Sequence, residues 1–510
     1  MSKTADNNKR IAKNTVLLYT RMFFIMAVTL YTSRVVLSTL GVTDFGIYNV
    51  VGGVVAMMGI LNGAMAVASQ RYLTFELGRD DMVRLKQVFS MCFTIFMMLA
   101  IVIILLCETV GLWFLNTQMV IPEERMSAAN WVYQFSVFSC VASLIVTPYN
   151  ATIIAHERMN VYAYVGMLEV VLKLVVVYLL LVIPADRLST YGFLLLLSQV
   201  VVTVTYIAYC LKHFPESRYK FYWEKPLFTE LVTYSGWNLF GSVSGLVKGQ
   251  GLNILLNLFF NPAVNAARGI AYQINAAITQ FFTNFYTAVR PQITKYYAQG
   301  DMDEMTKLVF RSSKLSFYLI MLVSMPIIIE TPYIVNLWLG QLPEYVVPFT
   351  RLIIAISAVD SMASPLMTAA HATGHIRLYQ SSVGTMTMLN IPVSYVFLKY
   401  GCSPLSVFYI SLFISIVCLF MRLWIVRRLM VFPVKEYIVK VFGSSLLVCV
   451  VALVMPLAVY MALDENIYTV LFVCLLCLIS SIATIYYVGL DVHEREFVTS
   501  IIRKKILHRQ

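Results

Sequence analysis

Apolar runs long enough to cross a bilayer recur from residue 14 to residue 489, and no stretch between them is long enough to fold as a soluble domain. A spanning helix needs ~20 consecutive, mostly apolar residues. Fourteen runs meet that need: 14–38, 45–69, 88–115, 127–155, 160–183, 188–211, 228–258, 264–289, 306–334, 346–370, 378–398, 404–425, 437–462 and 467–489. The expected fold class is therefore an all-α polytopic membrane protein with about fourteen transmembrane helices. Composition agrees: 59% of the 510 residues are hydrophobic and 13% charged, against ~45–50% and ~25% in soluble domains. A soluble multidomain enzyme is excluded on those grounds. The first run is too long for a cleavable signal peptide, and no small-x-small site follows it.

The basic residues give the orientation. The formal net charge is +12, but the lysines and arginines sit mostly in short loops between apolar runs, which marks membrane topology rather than a nucleic-acid patch. With fourteen spans, 29 of the 38 Lys and Arg residues fall on the side of the two termini and four on the other. Positive charge is retained on the cytoplasmic side, so both termini are expected in the cytoplasm. Most of the nine cysteines lie inside apolar runs, where Cys behaves as a small hydrophobe. Cys474 and Cys477 form a C-x-x-C in a Leu-rich stretch with no charge to lower a thiol pKa.

The chain also repeats itself. Gln70–Asp80, leading through Lys86 to Val88 and Phe89, is answered by Arg290–Asp301, leading through Lys307 to Val309 and Phe310. Gly46–Asn49 is answered by Gly269–Gln273, and the stretch from Pro148 to Tyr162 by that from Pro365 to Tyr379 at a constant offset of 217. Three matches in one order imply two copies of a six-helix unit, 10–211 and 228–425, with an appended helix pair at 437–489. Both copies start on the same side, so they are parallel repeats. In transporters built this way, substrate binds between the halves and the halves rock to alternate access.

Charges inside the spans are the candidate site. A charge at the bilayer centre costs ~2.5–3.5 kcal/mol on insertion scales, so it should face protein or water. Arg21 and Arg34 either snorkel from the ends of the first span or face inward. Glu169 and Lys173, at i and i+4, are either a structural ion pair or a site. Asp360 either bonds to neighbouring helices or takes part in coupling. The seventh span carries Asn238, Lys248 and Asn253 among several serines and glycines. In the eighth, Arg268, Tyr272, Asn275 and Thr279 share one face by their spacing. Such a face cannot look at lipid without uncompensated desolvation, so it should line a wet cavity. Phe45 takes the place of Arg268 in the first copy, which makes that cavity lopsided and net basic. It suits an anionic substrate, because guanidinium matches phosphate oxygens well. Arg268 and Lys248, assisted by Arg34, are the candidates for its anionic group, and Tyr272, Asn275, Asn238 and Asn253 for neutral hydrogen-bonding groups. Asp360, Glu169 and Lys173 are the ion-coupling candidates.

Enzyme signatures are missing. There is no P-loop motif, no H-E-x-x-H and no nucleophile elbow, and His156-Glu157 lacks the second histidine. A membrane glycan polymerase or ligase would need a sizeable loop outside the bilayer, and the outward segments around 116–126 and 335–345 are short. No enzyme activity, metal or cofactor is expected.

Two six-span copies followed by a terminal pair resemble the multidrug/oligosaccharidyl-lipid/polysaccharide exporter superfamily, a MATE-like architecture. The chain looks most similar to bacterial O-antigen and capsule repeat-unit flippases. Lys13-Asn14-Thr15 opening the first span and Leu40-Gly41-Val42-Thr43-Asp44-Phe45-Gly46-Ile47-Tyr48 entering the second carry the resemblance. It implies a two-lobed bundle in the bacterial inner membrane that moves an undecaprenyl-pyrophosphate-linked oligosaccharide outward for surface polysaccharide biosynthesis. Membrane lipids would surround it, and H+ or Na+ would drive it. Lipid II flippases of the superfamily share the fourteen spans and an Arg where Arg268 stands, but have more basic residues early in the first two spans. The drug-extruding branch uses buried acids in its first lobe, where this chain offers mainly Glu169. The alternatives are thus a cation-coupled drug exporter on the same fold and a membrane glycan polymerase or ligase.

Overall fold

A computed structural model gives the architecture. It describes residues 3–491, except 57, 58, 120, 184, 261, 341, 342 and 465, together with 494–496 and 499. The described chain is helical, and no strand occurs among those residues. In order, the helices are α1 (Lys3–Ala56), α2 (Gly59–Arg79), α3 (Met82–Leu106), α4 (Leu112–Thr117), α5 (Glu123–Ala155), α6 (Met159–Val182), α7 (Arg187–His213) and α8 (Lys225–Phe259). They continue as α9 (Pro262–Ala298), α10 (Met302–Ile329), α11 (Thr331–Leu339), α12 (Val346–Ala372), α13 (Arg377–Met388) and α14 (Asn390–Lys399). The last are α15 (Leu405–Leu429), α16 (Val434–Tyr437), α17 (Ser444–Ala462) and α18 (Ile467–Thr484).

Every expected span falls on a helix or on helices run together. Among the described residues, ten stretches are long and apolar enough to cross a membrane. Of the other expected spans, 228–258 and 264–289 are helical but less apolar, being rich in Gly, Ser, Asn or Thr. The span at 378–398 is divided between α13 and α14, and the span at 45–69 includes residues outside the described ones. The break between the first two spans is Gly41, at φ 77 inside α1. Its ψ of 168 puts it in a region essentially reserved for glycine, where a side chain would cost on the order of 1–3 kcal/mol. A π turn at Cys107–Gly111 joins α3 to α4, where Tyr133 Oη donates to the Cys107 carbonyl at 2.8 Å.

The chain forms two compact units. The first holds residues 1–242 with 288–301, and the second 243–287 with 302–510. In the first, Phe96, Ile103, Val132, Tyr133 and Leu144 form a fully buried core. Helix α7 comes close to α5 at Gly192, whose missing Cβ would sit 3.2 Å from Val132. Arg21 packs from α1 against α6, its guanidinium 4.4 Å from the Tyr162 ring and against Gly166, where a Cβ would lie 2.2 Å from Nε.

In the second unit, Phe349, Phe408, Val335 and Leu256 centre one core. A second core joins α10 to α17 and α18 through Phe317, Met325, Val448, Val473 and Cys477. Lys314, its side chain 5% exposed, binds Glu494 at 3.0 Å and Asp491 at 3.2 Å. These pairs tie the segment after α18 to α10.

The repeated sequence segments end in the same turns. Helix α2 closes with Asp80 at φ 59, with Asp80 N donating to Leu77 O and Asp81 N to Glu76 O. Helix α9 closes with Gly300 at φ 73, with Gly300 N donating to Tyr297 O and Asp301 N to Tyr296 O. These are the paired bonds of a Schellman cap. The two segments also touch, since a Cβ on Gly78 would lie 2.7 Å from the Ala298 Cβ. After α5 and α12 the left-handed positions are Glu157 (φ 58) and Gly374 (φ 80).

Candidate functional site

Three of the sequence-derived residues come together in the second unit. Helix α8 contributes Gly249 and Asn253, one turn apart. Arg268 of α9 reaches across, donating from Nη2 to the Gly249 carbonyl at 2.7 Å and from Nη1 to Asn253 Oδ1 at 3.1 Å. Its guanidinium carbon lies 4.6 Å from the centre of the Tyr272 ring. Its Nε is sealed from solvent with no hydrogen-bond partner among the described residues. All these partners are neutral. Two acids within the expected spans are engaged elsewhere: Glu169 pairs with Lys173 at 2.7 Å, and Asp360 accepts from Ser415 Oγ at 2.6 Å.

A guanidinium has five donors. Two of those of Arg268 are used, and its full charge is left without a carboxylate among the described residues. An intramembrane cation so placed is costly, and that is the ordinary mark of a pathway or binding site. Asn275 lies on the same helix, half-buried, with Oδ1 buried and unpartnered among the described residues. Thr279 instead bonds back to the Asn275 carbonyl. The face thus carries Arg, Tyr and Asn as its chemical groups, with Thr tied to its own helix.

The other candidates are dispersed. Lys248, on α8, is half-buried, and the charges of Asp360 and Arg422 act on it. Arg422 sits 3.8 Å from Asp360 and donates from Nε to Tyr379 Oη at 2.9 Å. Asp360 therefore belongs to a network with Ser415 and Arg422 that sequence reasoning missed. Only its position in an apolar run signalled it. Asn238 is buried and belongs to the first unit. The side chain of Arg34 lies outside the described residues.

The first unit has its own cavity, of about 550 Å³. Lys173 lines it, so the Glu169–Lys173 pair is more than a bond along one helix face. The polar residues beside it, among them Asn62, Ser136, Ser139 and Ser143, were not singled out from sequence. Their signal was present: serines at i, i+3 and i+7 of an apolar helix share one face.

Two clusters lie at the ends of the helices. Glu157, its side chain 1% exposed, is bound by Lys295 Nζ at 2.6 Å and Arg10 Nε at 2.7 Å, and Gln292 Nε2 also donates to it. Glu216, fully buried, meets His156 Nε2 at 2.5 Å, while the His156 ring stacks on Phe214. Burial alone would raise the Glu216 carboxyl, but the His156 bond, its own backbone N–H and the charge of Lys86 hold it below the usual carboxylate range.

No protein-family profile and no curated protein matches the chain. Solved structures do. A MATE crystallised in complex with MaD3S aligns over 84% of this chain and 99% of its own, with a TM-score of 0.71 at 14% identity. A multidrug resistance MATE family transporter of the MOP superfamily, in an outward-facing conformation, gives 0.69 at 15% identity over 84% and 98%. The Vibrio cholerae MATE transporter VcmN, in its bent form, gives 0.63 at 12% identity over 86% and 99%. The fold is that of MATE transporters, carried by a very different sequence.

Proposed function

We propose that this chain is a transporter that moves lipid-linked oligosaccharide repeat units across the bacterial inner membrane by alternating access, and that it is not an enzyme. The observation that carries the reading is the Arg268 guanidinium, held on Asn253 and Gly249 with neutral partners only. A membrane protein retains such a charge where an anion visits it, and the pyrophosphate of an undecaprenyl carrier is such an anion. Lys248 is the second phosphate candidate, and Tyr272, Asn275, Asn238 and Asn253 offer hydrogen bonds to sugar hydroxyls. Asp360, bonded to Ser415 and near Arg422, is the leading candidate for H+ or Na+ coupling. Glu169 is already neutralised by Lys173.

A cation-coupled drug exporter is the competing reading on the same fold. It requires acids that hold a cationic drug; Glu169 is taken by Lys173, and Asp360, near Arg422, is assigned here to the coupling ion. Proteoliposomes separate the two. Purified protein should accelerate translocation of a fluorescent lipid-linked oligosaccharide and leave ethidium efflux at the protein-free rate. Ethidium transport without oligosaccharide translocation would reverse the assignment.

The orientation proposed with this function puts both termini in the cytoplasm, from the 29-to-4 charge bias. Reporter fusions after Gln510 and after Asp464, which lies between α17 and α18, should report opposite sides. The same side for both would refute the placement of the last helix pair.

A further inference from the structure

We infer that the cavity inside the first unit is a saccharide subsite, which takes uncharged, hydroxyl-rich sugar rings of the transported glycan. The inference rests on the transport reading above and adds a place in the first unit for sugar rings, beyond the residues already named for sugar hydroxyls. At about 550 Å³ the cavity lies within the range of small-molecule sites. Its walls come from α1, α2, α5, α6 and α7, all of one unit.

The wall chemistry selects the ligand class. Ser136 and Ser139 donate their hydroxyl hydrogens to the Val132 and Phe135 carbonyls, which leaves oxygen lone pairs as acceptors. Asn49 donates to the Phe45 carbonyl and keeps its own amide oxygen. Gln199 makes no hydrogen bond among the described residues, so its amide offers both donors and acceptor. Tyr48 also lines the space, its ring fixed edge-on against Tyr191 at 4.9 Å. Alternating donors and acceptors beside an aromatic face suit a ring that is polar at its rim and apolar on its faces.

Charge decides between a sugar and an ion. Among the described residues the one cation on the wall is Lys173, which already donates to Glu169 at 2.7 Å, so the pair is neutral and favours neither an added anion nor an added cation. The remaining ammonium hydrogens of Lys173 can donate to sugar hydroxyl oxygens. Glu169 and Lys173 stand roughly 15 and 21 Å along α6 from its start at Met159. Polar groups that deep in an apolar helix need water or a hydrated ligand.

The test uses purified full-length protein in nanodiscs, carrying Ser139→Cys in a Cys140→Ser background. The rate of modification by a charged methanethiosulfonate is measured with four probes. They are the oligosaccharide released by mild acid from the lipid-linked pool of native cells, undecaprenyl pyrophosphate, the intact lipid-linked oligosaccharide, and tetraphenylphosphonium. The released oligosaccharide is expected to slow modification, and undecaprenyl pyrophosphate to leave it unchanged. Gln199→Ala should raise the half-protecting concentration roughly 3–10-fold, the loss of about one hydrogen bond. If the intact lipid-linked oligosaccharide binds by thermal shift while the released oligosaccharide gives no protection, the subsite is refuted and the transport reading stands. Protection by tetraphenylphosphonium instead would make this a cation cavity and refute the subsite. A thiol that the reagent never reaches would also refute it, since a closed cavity admits no sugar. If neither the intact nor the released glycan binds at all, the transport reading fails and the subsite with it.

Discussion

Arg268→Ala will lower translocation of the lipid-linked substrate by at least about 100-fold while the protein still inserts, because charge-assisted hydrogen bonds contribute ~1.5–3 kcal/mol each and a phosphate takes two. Arg268→Lys keeps the charge but loses the planar fork, so it should retain an intermediate rate. The structure supplies the competing explanation. Arg268 joins α9 to α8 through Asn253 and the Gly249 carbonyl, and a residue that only clasps two helices would also matter. Asn253→Ala separates the roles, since it removes part of the clasp and leaves the guanidinium in place. If the charge is what counts, Asn253→Ala should lose less than about 10-fold, the worth of one ordinary hydrogen bond. Equal losses in Asn253→Ala and Arg268→Ala, with matching falls in thermal stability, would mean that Arg268 is a clasp and not a phosphate ligand. Translocation at matched expression in proteoliposomes, with unfolding temperature measured beside it, gives both readouts.

The helices were legible in the sequence because hydrocarbon imposes a simple length requirement, and Gly41 marked the first break. The ends of the helices were not. The eighth apolar run stops near residue 289, yet α9 continues to Ala298. Its last turns carry Gln292 and Lys295, which bind Glu157, and Ala298, which meets Gly78. Hydropathy reports the part of a helix that lipid would cover, and these turns are covered by protein instead. The site divided the same way. The polar face of Arg268, Tyr272 and Asn275 followed from helical spacing alone. The partners of Arg268 depend on the register between α8 and α9, which no spacing within one helix encodes. The serine face of α5 was readable in principle. It was passed over because hydroxyls bonded to their own helix are tolerated in lipid, and only the cavity beside them gives them another use.

Glu157 should give the largest stability effect outside the spans, and its two opposing contributions can be separated. Its φ of 58 is a left-handed conformation that costs a non-glycine residue ~1–2 kcal/mol. The matching turn 217 residues later avoids that cost with Gly374, at φ 80. Against the strain stands a carboxylate 1% exposed, on which Lys295, Arg10 and Gln292 converge. Removing one partner of a buried pair costs ~3–5 kcal/mol, because the other charge is left behind. Arg10 is 46% exposed and recovers water when released, so the lower end of that range applies. The carboxylate therefore outweighs the strain. Glu157→Gly should be destabilised by ~2 kcal/mol, with the relief of φ offsetting part of the loss. Glu157→Ala keeps the strained turn and should fall about 1 kcal/mol further. Gly374→Ala, where no carboxylate is involved, should show the strain by itself. Unfolding temperatures of the three variants in one detergent give the ranking. If Glu157→Gly melts at or above the parent temperature, strain is the larger contribution, and the convergence of Arg10 and Lys295 on Glu157 adds little to the fold.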